Sequence, residues 1–118
     1  MDDLVQWLRA QLDEDERTAR RAGDSFRQIG ETGVIVATEG DRAEECASAT
    51  WAGVAEHIVA HDPARVLREI DAKRRTLVRC EEAMLSTTPM LVHFAKQTVW
   101  EMAQPYADRP GYRESWRP

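Results

Sequence analysis

The stretch from His57 to Leu85, HIVAHDPARVLREIDAKRRTLVRCEEAML, constrains the fold more than any other because a strong helix start lies inside it. Asp62 can accept hydrogen bonds from the free N–H groups of a first turn. Pro63, at the first helical position, gives up a donor that would have had no partner. A helix therefore begins at Pro63. At 100° per residue, Val66, Leu67, Ile70, Leu77, Val78, Met84 and Leu85 fall within an arc of about 120°, the width of a core-facing stripe. Arg74 points into that arc, with Glu81 two turns on, so it must snorkel, find a buried carboxylate or meet another subunit.

Arg65, Arg68, Arg75 and Arg79 cluster on the other side of this helix. The spacings Glu69 to Lys73, Asp71 to Arg75 and Arg79 to Glu82 suit pairing along the helix, so a solvated face explains the charge without a ligand. Charge over the whole chain is uneven. Residues 1–62 carry 14 acids and 6 bases, residues 63–118 carry 7 and 10, and the two parts attract. The net charge of -5 argues against a wholly basic nucleic-acid surface. Arginine outnumbers lysine 14 to 2, a bias of composition that weakens any argument from arginine alone.

With 118 residues the chain is expected to form a single domain, 1–118, that needs no disulfide or structural metal. No apolar run reaches membrane-spanning length, and the start is acidic at Asp2 and Asp3. A cytoplasmic protein with Cys46 and Cys80 as free thiols is the expectation.

Leu4, Val5, Leu8 and Leu12, followed by Ala19 and Ala22, predict a first helix over residues 2–22 that Gly23 stops; Trp7 sits beside the stripe. Asp13 to Arg17 and Glu16 to Arg20 suit pairing along it. Between Gly23 and Gly40, the short groups Phe26, Ile29 and Val34–Val36 predict a β-hairpin, which must lie on helices or pair with another chain. Asp41 can cap a further helix from Arg42 to Val59, weak in its middle at Ser48, Thr50 and Gly53. Thr88-Pro89 starts a last helix whose broad face holds Leu91, Val92, Phe94, Ala95, Val99, Met102 and Ala103, ending before Pro105. The tail PYADRPGYRESWRP carries Tyr106, Tyr112 and Trp116, too much apolar area for a disordered end, and is expected to wrap back over the helices.

The chemistry candidates are few. His57 and His61, four apart on one helix face, can share a zinc ion if a third ligand arrives from His93, Cys46, Cys80, Asp62 or Glu56. Ile58 stands where the zinc-protease motif needs glutamate, and histidines that hydrogen-bond around the Asp62 corner are the simpler reading. Cys80 lies within a helix ahead of Glu81 and Glu82, which disfavour a thiolate. Gly30 and Gly33 lack the lysine of a phosphate loop. Arginines among the tail aromatics, Arg109, Arg113 and Arg117, can in principle stack on bases and neutralise phosphates.

Two segments, AEHIVAHDPARVLREIDAKRRTL from Ala55 and PYADRPGYRESWRP from Pro105, resemble an uncharacterised family of small actinobacterial proteins also found in their phages. With the opening Met1 to Arg21, the likeness covers about half the chain. The resemblance places motif positions on His57, His61, Asp62, Pro63, Arg65, Tyr106, Asp108, Pro110, Gly111, Tyr112 and Trp116. It implies origin and a cytoplasmic setting without chemistry. Arg109 stands where members often have histidine, and residues 24–54 match poorly.

The resulting expectation is a mainly helical α+β domain with a short hairpin and an aromatic tail packed on the helices. The function read from it is a non-enzymatic interaction or regulatory accessory protein with no cofactor, no metal and no catalytic residue, meeting a protein partner or a second copy in a homodimer. Its binding surface is expected at His57, His61, Asp62, Arg65, Arg74, Tyr106, Asp108, Tyr112 and Trp116. The alternatives are a metal-dependent enzyme using His57 and His61, or a nucleic-acid module using the basic helix and the tail.

Overall fold

In the computed structural model, which describes residues 1–118, the order is α1 (Asp2–Arg21), β1 (Ser25–Gln28), β2 (Val34–Glu39), β3 (Arg42–Ser48), α2 (Ala52–Ala60), α3 (Pro63–Met84) and α4 (Pro89–Ala103), with short 3-10 turns at Gln104–Tyr106 and Glu114–Trp116. The fold is α+β and mainly helical. Both proline starts are used. Asp62 Oδ1 accepts the Arg65 N–H at 3.0 Å and caps α3. Thr88 caps α4 only through its backbone, its carbonyl accepting the Val92 N–H, while its own N–H donates to Ser86 Oγ at 3.0 Å.

The chain divides into two compact bodies: Met1–Glu14 with Asp71–Pro118, and Asp15–Ile70. In the first, Leu4, Val5, Leu8, Leu12, Leu77, Cys80, Ala95, Val99, Ala103, Tyr106 and Trp116 are buried. Acids of the first part meet bases of the second here as the asymmetry implied, Arg74 on Asp13 at 2.7 Å and Arg113 on Asp3 at 3.2 Å, while Arg9 on Glu81 runs the other way. In the second body Ile35, Val36, Ala55 and Ile70 are buried. Its three strands form an antiparallel sheet in the order β1-β2-β3.

The predicted hairpin is β1–β2, paired from Ser25↔Thr38 to Gln28↔Ile35. The helix expected from Arg42 is corrected: residues 42–48 are a third strand and α2 begins only at Ala52. Alanine and glutamate in this stretch favour a helix, but Gly40 (φ +57) and Asp41 form a two-residue turn that pairs Glu39 with Arg42 and commits the next residues to the ladder. At the far end Ala49 donates to the Gly33 carbonyl at 2.7 Å, and a side chain on Gly33 would collide with the Ala49 carbonyl.

The α3 stripe is narrower than its wheel. Ile70 and Leu77 are buried, Cys80 joins them, and Val78 and Leu85 are exposed.

Candidate functional site

The histidine corner ends α2. The rings of His57 and His61 lie 4.4 Å apart between centroids, tilted by 37°, and His61 Nδ1 donates to the His57 carbonyl at 2.8 Å. Asp62 serves two elements at once: Oδ1 caps α3, and Oδ2 accepts the Phe26 N–H of β1 at 3.2 Å. Arg65 reaches Glu69 at 2.9 Å and the Ala60 carbonyl at 3.1 Å. The corner is therefore a brace in which Asp62 and Arg65 have structural partners. Both imidazoles remain exposed, and His61 lines a shallow, mainly apolar groove of about 340 Å³ with Asp15, Ala19, Phe26 and Val66. No three His, Cys, Asp or Glu side chains gather around a common point, so the third ligand a zinc ion would need is not brought to the pair.

The remaining predicted surface residues lie in the other body. Arg74, which the wheel put in the apolar arc, finds a carboxylate, Asp13. Tyr106 and Trp116 are buried, Tyr112 is half-buried and Asp108 is exposed. The tail aromatics build a cluster on α1: Trp7 lies 5.8 Å from Tyr112 and 5.4 Å from Trp116, and Tyr112 meets Trp116 edge-on. Trp7 Nε1 donates to the Pro110 carbonyl at 3.0 Å. Gly111 (φ +89) permits that approach, since a Cβ there would lie 2.7 Å from the indole nitrogen. Gln104 ties the segment down through the Tyr112 hydroxyl at 3.0 Å and the Trp100 carbonyl at 2.9 Å. Arg109 and Lys73 sit over Tyr106, and Lys73 donates to its hydroxyl.

A surface that the helical wheels assign to the core lies on the outer side of α3 and α4. Phe94 is 70% exposed, Met90 81% and Leu91 46%. Between the helices Cys80, Ala83, Leu91, Phe94 and Thr98 line an almost wholly apolar groove of about 360 Å³. Arg79 stands on its edge and, with Arg74, Arg75, Val78 and Glu82, lines a neighbouring open depression. The signal is present in α4: its apolar face is broader than one buried seam of Ala95, Val99 and Ala103 can absorb. Of the cysteines, both free, Cys46 is exposed on β3, and burial pushes the Cys80 thiol above its ordinary range.

Compared with known proteins, residues 1–118 match throughout the model of a family of unknown function, DUF6221. The match includes residues 24–54. No curated protein and no solved structure matches the chain.

Proposed function

The chain belongs to that family of unknown function, and with no activity to carry over from it we propose that the protein is a non-enzymatic interaction or regulatory accessory factor, presenting a surface to another polypeptide. The resemblance of the HDPARVL and PGYRESWRP segments extends the proposal to a cytoplasmic setting and an actinobacterial or phage-related origin, with self-association as the simplest form of partnership. The supporting observation is the outer side of α3 and α4, where Leu91 and Phe94 line an apolar groove and Met90 is exposed on the same helix. Grouped apolar side chains of this size, rimmed by charge, are characteristic of contact surfaces. The nucleic-acid alternative has less support, because Tyr106 and Trp116 are buried and unavailable for stacking on bases.

Light scattering after size exclusion, together with affinity capture from an actinobacterial lysate, tests the proposal with Phe94→Glu as the matched control. Self-association or retained proteins that the variant loses support it. A strictly monomeric chain that retains the same set as Phe94→Glu overturns it.

A further inference from the structure

Arg79 and Glu82 are one turn apart on α3, both exposed, and are not joined by an ion pair within the chain despite a spacing that suits one. They lie on either side of the level of Cys80, which is also the middle of the apolar groove. A two-fold axis crossing α3 at that level, perpendicular to the helices, lays α3 antiparallel on its copy. It sets Arg79 of each chain against Glu82 of the other. The two charges are thus self-complementary about the level at which Arg79 borders the groove. An isologous contact requires this of a single surface.

The area is also sufficient. Met90, Leu91 and Phe94 together expose on the order of 400 Å² of mainly apolar surface, within the range of the largest patches on monomers. Covering these three with Val78, Arg79 and Glu82 on two copies removes on the order of 1,200 Å² from water, where specific interfaces begin.

We infer that a second copy of this chain covers the outer face of α3 and α4 about this axis, with two Arg79–Glu82 pairs flanking an apolar centre built on Phe94. The inference rests on the interaction reading above and identifies its partner. The surface is available on the folded chain without rearrangement, so association is expected to follow mass action with no change in helix content.

Sedimentation equilibrium over a wide concentration range, on the full chain and on Arg79→Glu, Glu82→Arg and Phe94→Glu, tests the geometry. The wild type is expected to dimerise, and each single reversal to weaken association by at least about tenfold by placing like charges opposite one another twice. An equal mixture of Arg79→Glu and Glu82→Arg chains is expected to recover a heterodimer, since both contacts then join opposite charges, one of them with its signs exchanged. Phe94→Glu is expected to be monomeric. All three positions are exposed, so retained helix content and a cooperative melt distinguish lost association from lost folding, while the melting temperature falls to that of the free monomer.

A monomeric wild type, reversals that dimerise as well as the wild type, or a mixture that stays monomeric would each overturn the inference. A monomeric wild type whose Phe94→Glu variant loses a captured protein, or loses binding to lipid vesicles, overturns the second copy as occupant. The captured protein would leave the interaction reading standing. The vesicles would replace it.

Discussion

The carboxy-terminal segment from Gln104 to Pro118 contains nothing more regular than two short 3-10 turns, yet it buries Tyr106 and Trp116 and is tied to α1 by the Trp7 indole. Strand β3 runs along β2 as a regular ladder but for one bulge, and every one of its side chains from Arg42 to Ser48 is exposed. Backbone hydrogen bonds to β2 define β3, whereas ring packing and side-chain bonds define the tail. Regularity and energetic weight are therefore separate properties. Removing apolar area from the tail should destabilise the fold, while side-chain changes in β3 should leave it nearly unmoved.

The largest effect is expected at Trp116. Trp116→Ala empties a position that is 8% exposed and in ring contact with both Trp7 and Tyr112, and should cost about 3–5 kcal/mol. A thermal melt should fall by well over 10 °C. A shift of only a few degrees would mean that the tail is laid on the surface without supporting it.

The two elements also differ in how far the sequence reveals them. The tail is legible because three large aromatics in a short segment have too much apolar area to leave in water. What fixes its path is not, because the close approach of Gly111 to Trp7 joins residues far apart in sequence. The helix starts at Pro63 and Pro89 are legible for a local reason, since proline and its preceding residue act on their own turn. Strand β3 reads as a helix because it has no apolar alternation to set a period, and its alanines and glutamates favour the other state. Only pairing with β2 decides it. The histidine pair is visible as a spacing, but the second bond of Asp62, to the Phe26 amide, joins a corner to a strand and has no signature along the chain.

That bond sharpens the comparison from within the sheet. β1, at the opposite edge from β3, is anchored by a side chain from outside the ladder. Asp62→Ala removes the α3 cap and leaves the Phe26 N–H without its partner, and should cost about 1–2 kcal/mol. Asp62→Asn, which keeps an acceptor for one of the two donors, should recover part of that loss in urea denaturation. If alanine and asparagine are equally mild, the corner does not brace β1 and the sheet is held by its ladder alone.

The smallest effect is expected on β3 itself. Glu45 pairs across to Val36, beside a register shift at Ile35 and Val36 that leaves Cys46 as the extra residue on β3. Its side chain is exposed, so Glu45→Thr exchanges a helix-favouring residue for a strand-favouring one without altering a buried contact. Stability should change by less than about 0.5 kcal/mol, with the gain in strand preference as the only systematic contribution. Folding through a helical excursion of residues 42–48 would give a second signature: the substitution would speed refolding while leaving unfolding unchanged, because it penalises the competing local state. A loss above about 1 kcal/mol is the result the comparison forbids. It would show that the exposed side of β3 is occupied in solution, and that its lack of burial is a property of the isolated chain and not of the working protein.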